Sequence, residues 1–286
     1  MNQISNTIKL LRFPFSVFLL PVSLFSLFYI HPAFGYKLLL VLGIWHLLVF
    51  PSSNGYNSYN DADEGPIGGL AAPPRPTRLL LRLANIMDLS AILLSLLVNI
   101  WFSVFVAVYI LASRLYSSRS IRLKQYPVTG FLVVFIFQGA WVFCANILAF
   151  SAGDLFANAS VIYSALASSF FIATVYPLTQ IYQHEADHKD GVKTLSMLLG
   201  IKGTFVFSGT MFALASALIY LSFHTSGTIV NFWLFMAVML PSTLYFLRWA
   251  YRSFHNTTQV TFRNTMIMLV LSSLLNNLFF LILLFK

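Results

Sequence analysis

The sequence predicts an all-α fold: an integral membrane bundle of nine transmembrane helices around a central cavity, with the N-terminus cytoplasmic. Three observations carry this. Only 9% of the 286 residues are charged and 58% are hydrophobic, whereas soluble domains carry roughly 25% charge. Nine apolar stretches come close to the roughly 20 residues needed to cross a hydrocarbon core. Lys and Arg gather on one set of alternating loops, which the rule that basic residues stay inside makes cytoplasmic.

The spans in order are 13–31, 36–54, 79–97, 99–116, 128–150, 158–182, 203–222, 229–248 and 263–284. The first follows Lys9 and Arg12 as a signal peptide would. His31-Pro32-Ala33-Phe34 is a poor cleavage site, so the span is expected to be retained. The second and third are joined by a loop made irregular by Pro66, Pro73, Pro74 and Pro76, with Thr77 placed to cap the third helix. That loop holds Arg75 and Arg78, and Arg82 follows. Arg114, Arg119, Arg122 and Lys124 close the fourth span; Lys189, Lys193 and Lys202 follow the sixth; Arg248, Arg252 and Arg263 lie between the eighth and ninth. The opposite side keeps only Lys37 and Lys286, and merging or splitting one helix would scramble this asymmetry.

The net charge of +9 therefore reflects topology and attraction for anionic substrates at the inner face, not nucleic acid. The single cysteine, Cys144, forms no intramolecular disulfide and reads as a small buried apolar residue. His46, Asn99, Gln138, Asn146, Asn276 and Asn277 read as interhelical hydrogen bonders.

Of eight acidic residues, Asp61, Asp63 and Glu64 follow the second span, and Glu185, Asp187 and Asp190 follow the sixth, on the same side. Each cluster closes on an acid-glycine step, Glu64-Gly65 and Asp190-Gly191, which hints at two related halves. Facing carboxylates repel unless a cation sits between them. Magnesium suits, because it takes hard oxygen ligands and shares them with substrate phosphates. Arg119, Arg122, Lys124 and Lys193 stand near to hold the remaining phosphate charge. This describes a site for a diphosphate on a lipid-soluble substrate, whose dry interior shields a carbocation from water.

These residues resemble the intramembrane prenyltransferases of the UbiA type, over nearly the whole chain. The family pattern Asn-x-x-x-Asp-x-x-x-Asp after the second helix matches at Asn57 and Asp61; its third position falls on Gly65, with Asp63 or Glu64 as substitutes. The pattern Asp-x-x-x-Asp-x-x-x-Gly, then Lys and Thr, matches at Asp187, Gly191, Lys193 and Thr194. Gln183 stands at its first acid, and Glu185 where relatives carry an extra one. Pro74-Arg75-Pro76, and Tyr116-Ser117 with the run Arg119 to Lys124, resemble two further signatures. The resemblance implies Mg2+-assisted transfer of a prenyl group from a polyprenyl diphosphate to a small aromatic acceptor. It implies Asn57, Asp61 and Asp63 or Glu64 on one metal, and Gln183, Glu185 and Asp187 on the other. The resemblance also implies Asp61 and Asp187 as the catalytic core, and Arg75, Tyr116, Arg119, Arg122, Lys124 and Lys193 as ligands of the diphosphate. The loops 55–78 and 183–202 are expected to cap the cavity of one domain spanning 1–286, in a prokaryotic inner membrane.

Three readings compete. His184-Glu185-Ala186-Asp187-His188 spells H-E-x-x-H, a zinc protease signature that also needs a third ligand. Some members of the resembled family ionise the diphosphate and cyclise the chain without an acceptor, and the 16% aromatic content suits a cation pocket. A carrier of lipid phosphates would also place ionisable groups in a membrane, although here the acids lie at one face and only Asp88 among them falls inside a span, where it positions an arginine, lines the acceptor pocket or makes a structural hydrogen bond.

Overall fold

The computed structural model describes residues 3–151 and 153–286. The helices are α1 (Gln3–Leu11), α2 (Leu20–Ile30), α3 (Tyr36–Asp61), α4 (Arg78–Leu96), α5 (Ile100–Ser117), α6 (Pro127–Phe150), α7 (Ala159–Gln180), α8 (His184–Lys189), α9 (Leu195–Thr225), α10 (Val230–His255) and α11 (Phe262–Phe285). Among the described residues eight are long and apolar enough to cross a membrane, and Gln3–Phe18 with α2, bent by 46°, makes a ninth where the pair is counted as one span. The bend replaces the straight first span expected from hydropathy. Arg12 adopts a left-handed conformation (φ 50°) and a 3₁₀ turn runs from Phe13 to Phe18. Pro14 and Pro21 fall in the first turns of the two pieces, where a missing N–H costs least.

Two spans outrun their apolar cores. α3 continues through Asn57 to Asp61 and stops where Ala62 turns left-handed (φ 50°). The first acidic motif thus begins on a helix rather than a loop, and the chain turns at Ala62. α9 starts at Leu195, capped by Thr194, and breaks at Gly200 (φ 69°) before the apolar stretch begins. The expected cap segments 55–78 and 183–202 are therefore partly helical. Thr77 occupies the cap position of α4, but its hydroxyl makes no cap bond and is buried without a partner.

Polar residues inside the spans tie helices together. Trp45 donates to Asn146 at 2.9 Å, Asn99 to the Leu148 carbonyl at 2.8 Å and Asn277 to the Val17 carbonyl at 3.1 Å. His46 reaches Ser23 and the Ser16 carbonyl, both at 3.2 Å, and so pins the bent first span. Asn276 departs from expectation, bonding only Ser272 of its own helix. In α6 a π-type segment, Ile136–Trp141, contains Gly139 in a non-helical conformation. A Cβ there would stand 2.3 Å from the Ser169 Cα, so only glycine lets α6 and α7 touch. Ser169 Oγ accepts from the Ala140 N–H at 2.9 Å.

Candidate active site

One end of the bundle gathers the polar residues because several helices end there together. α3 delivers Asn57 and Asp61 in its last turns, α5 delivers Tyr116 and Ser117, α7 delivers Tyr176 and Gln180, and α8 carries Asp187. They surround a cavity of about 870 Å³, which also takes in Arg12, Asp63, Lys124 and Gln183 and continues inward to apolar walls such as Phe137 and Ile172.

Charge inside is paired across elements. Lys124 Nζ meets Asp61 Oδ2. Arg122 lies 3.5 Å from Asp61 Oδ1, an atom that is buried without a hydrogen-bond partner. The same guanidinium pairs with the Asp190 carboxylate and donates to its carbonyl at 3.2 Å, so one arginine ties the two acidic clusters. Gln183 Nε2 donates to the Pro66 carbonyl at 3.0 Å, a second tie. Asn57 Oδ1 accepts from Ser117 at 2.9 Å, and the Tyr116 and Tyr176 hydroxyls share a 2.7 Å hydrogen bond. Burial pushes the Asp187 carboxyl up to about 7; Lys124 pulls it down, against repulsion from Asp63 and Asp61. Asp63 is raised for the same reasons, burial first and Asp61 second.

Not every residue singled out by sequence faces inward. Asn57, Asp61, Asp63, Tyr116, Lys124, Gln183 and Asp187 meet around the cavity. Glu64 stands at its mouth, 85% exposed, with Arg75 at 3.6 Å. Glu185 is also at the mouth, 87% exposed, and Lys189 at 2.9 Å holds its carboxyl below the usual range. Arg119 lies outside, donating to the Asn60 carbonyl at 2.6 Å, and Lys193 is exposed on the turn before α9. Asp88 positions an arginine: it pairs with Arg114 (Nε at 2.8 Å) and accepts from Ser52, while the guanidinium lies 3.9 Å over the Tyr56 ring.

Sequence reading missed Arg12, Tyr176 and Tyr182 as cavity residues. Arg12 donates to the Asn54 and Gly68 carbonyls at 3.3 and 3.2 Å, and its Nε is buried without a partner. Its place at the threshold of an apolar span, two residues before Pro14, was the available signal. Tyr182 also keeps a buried hydroxyl without a partner.

The donor set fits a hard cation shared with an anion. Among the described residues no three His, Cys, Asp or Glu side chains gather closely enough to hold an ion alone. Oxygen donors from Asn57, Asp61, Asp63 and Asp187 nonetheless face one space, with the orphaned Asp61 Oδ1 among them. Magnesium bound through one or two carboxylates and completed by phosphate oxygens matches such a set. Among the described residues the H-E-x-x-H reading lacks its third ligand, His184 Nε2 is engaged by Ser196 Oγ at 2.6 Å, and His188 is exposed.

The model of the UbiA prenyltransferase family matches residues 18–284. No curated protein matches the sequence. Among solved structures, a UbiA homolog from Archaeoglobus fulgidus bound to GPP and Mg2+ is similar at 19% identity and a TM-score of 0.72, over 98% of this chain and 100% of that one. The same homolog bound to DMAPP and Mg2+ gives 17% and 0.65 over 97% and 99%. A digeranylgeranylglyceryl phosphate synthase gives 17% and 0.67 over the whole of both chains. At these identities the likenesses speak for the fold.

Proposed function

The chain belongs to the UbiA prenyltransferase family, and we propose that it transfers a prenyl group from a polyprenyl diphosphate to an aromatic acceptor, with Mg2+ at the motif end of the bundle. One observation carries the reading: carboxylates and cations line the mouth of a single cavity whose inner walls are apolar and aromatic. That division suits a substrate with a diphosphate head and a hydrocarbon tail. The magnesium and prenyl diphosphates held by the Archaeoglobus homolog support it.

In this reading Asn57, Asp61, Asp63 and Asp187 supply the oxygen ligands. When bound, Mg2+ neutralises the diphosphate and makes it a better leaving group. Lys124 and Arg12 contact the diphosphate, and Arg122, one step back, holds Asp61 and Asp190 in register. The C1–O bond breaks with its electron pair leaving on the diphosphate. The allylic cation is screened from water by the cavity walls, which include Tyr109 and Phe137. An acceptor carbon then bonds to C1, and the proton it loses passes to the departed diphosphate. Tyr116 and Tyr176, locked together by their hydrogen bond, keep the cavity wall between head and tail in place. Glu64, Arg75 and Glu185 act at the mouth as a closing cap, and Arg119 and Lys193 draw the anion toward it. The charge asymmetry of the loops supports a mouth that faces the cytoplasm, across a prokaryotic inner membrane.

The test is diphosphate release by purified protein from geranyl or farnesyl diphosphate, with magnesium or EDTA, and with or without phenolic acceptors. Release that needs both magnesium and acceptor, and is lost in Asp187→Ala, is expected. Release without acceptor would reassign the protein as a cyclase. Full activity of a folded Asp187→Ala protein would remove the site as drawn.

A further inference from the structure

Inward of the acidic motifs the two sides of the larger cavity differ. On the side supplied by the first span, α7 and α11, the residues inward of Ser16 and Tyr176 are Phe18, Leu19, Ile172, Val175 and Leu269, all apolar. On the side supplied by α3, α5 and α6, uncharged polar side chains are set among the apolar ones: Ser53, Asn54, Tyr109, Ser113 and Gln138. Helical spacing puts them there. Phe50, Asn54, Asn57 and Asp61 follow one another three or four residues apart on α3, as do Tyr109, Ser113 and Tyr116 on α5. The stripes that carry Asp61 and Tyr116 at the mouth therefore continue inward, and Asn54 lies about 10 Å below Asp61.

These groups are not used up within the protein. Gln138 is hydrogen-bonded to the Tyr109 hydroxyl, and Ser53 Oγ to Ser113 Oγ at 2.5 Å. A bond between two hydroxyls takes one hydrogen, so the other hydrogen of the serine pair is free to donate. Asn54 gives its carbonyl to Arg12. Among the described residues its side-chain amide has no hydrogen-bond partner, and the residue is half-buried at the cavity wall. This side thus offers a donor and an acceptor together, which is what a hydroxyl needs.

A hydrocarbon tail laid against Asn54 and the serine pair would leave them unpaired, whereas the other side meets it with carbon throughout. We propose that donor and acceptor divide the cavity in this way. The prenyl tail runs along Phe18, Ile172, Val175 and Leu269. The acceptor, a ring compound bearing a hydroxyl, lies along α3 and α5 with that hydroxyl on Asn54 and the Ser53–Ser113 pair. Its ring then sits between Asn54 and the acidic end, beside the prenyl C1 as it hangs inward from the diphosphate. Both occupy one cavity, so no wall stands between the reacting carbons. A ring carbon bonds to C1 and its proton leaves on the diphosphate. The hydroxyl keeps its own proton, because the carboxylates lining the cavity all lie at the mouth. This rests on the prenyl-transfer reading and names, within it, the feature by which the acceptor is recognised.

The experiment uses the full chain in nanodiscs with two probes, 1-naphthol and 1-methoxynaphthalene, whose rings are alike and which differ in the hydroxyl hydrogen. Binding is followed by equilibrium dialysis, with magnesium and inorganic diphosphate present. Prenylated product is followed by chromatography with farnesyl diphosphate and magnesium. Wild type is expected to bind 1-naphthol more tightly than the ether. Asn54→Leu and Ser113→Ala should each weaken 1-naphthol binding, and raise its KM, about 3- to 10-fold, the worth of one hydrogen bond. Binding of the ether and the KM for farnesyl diphosphate should stay within about twofold, which a collapsed cavity would not allow. Equal losses for both probes, an effect confined to farnesyl diphosphate, or wild-type binding of 1-naphthol no tighter than that of the ether would overturn the proposal. Asn54-dependent naphthol binding by a protein that releases no diphosphate from any donor would keep the hydroxyl site and remove the prenyl-transfer reading instead.

Discussion

Lys124→Met tests how the site tolerates its own charge. The Asp61 side chain is 5% exposed and that of Lys124 13%, and their charged atoms are in direct contact. Removing one partner of a buried pair costs about 3–5 kcal/mol, because the other charge is left without compensation. Arg122 remains, but at 3.5 Å from the second carboxylate oxygen and already committed to Asp190. It recovers part of the loss, so the expected cost is about 2–3 kcal/mol. Asp61→Asn removes the stranded charge, and the double variant should regain at least about 1.5 kcal/mol over the sum of the single costs. The assay is reversible unfolding in mixed micelles, titrated with SDS and read by tryptophan fluorescence, on all four proteins. Additive costs, with a coupling below about 0.5 kcal/mol, would show that Lys124 does not neutralise Asp61.

Other consequences follow from single features. The Asp187 carboxyl, raised to about 7, is protonated below that value and a poor ligand, so magnesium-dependent binding of inorganic diphosphate should strengthen from pH 6 to pH 8; a flat calorimetric profile would contradict this. The same shift makes the metal-free fold lose stability as pH rises from the ordinary 3.8 toward 7, since the folded carboxyl holds its proton more tightly than the unfolded one. Asp88→Asn strands Arg114 and should cost about 3 kcal/mol in the SDS titration, whereas a loss below about 0.5 kcal/mol would mean that the pair is open in solution. Gly139→Ala places a methyl against the backbone of Ser169 and should cost at least about 3 kcal/mol, while Gly35→Ala, with nothing within 4 Å, should be neutral. Comparable unfolding curves for these two would refute the close crossing.

The crossings were legible because lipid leaves the backbone no choice but helix, so apolar length alone locates them. The acidic clusters were legible because eight acids in 286 residues cannot fall twice on helix ends unnoticed. What escaped belongs to tertiary structure. Pro14 and Pro21 could have announced a break in the first span, but hydropathy averages over them. Arg12 looked like a topology marker until α3 and the turn at Gly68 folded around it. Asp63 and Glu64 are neighbours in sequence, and only the left-handed turn at Ala62 sends one inward and leaves the other at the mouth. The smaller, apolar pocket between α2, α7, α9, α10 and α11 has no local signal, since five helices contribute its walls.

The crossing at Gly139 bears on how the protein is made. α6 reaches the bilayer ahead of α7, and on its own it has no reason to be anything but a plain α-helix. An amide released by a bulge would face hydrocarbon, where each unmet group costs several kcal/mol. The Ala140 N–H finds its external acceptor, Ser169 Oγ, only when α7 arrives. The non-helical step at Gly139 is therefore imposed by a later segment on an earlier one. Phe137 and Gln138, which lie in that step and line the larger cavity, take their final places with it. The wall of the larger cavity is finished late in biogenesis, and a nascent chain cut short before α7 should reach the membrane with that wall still unformed.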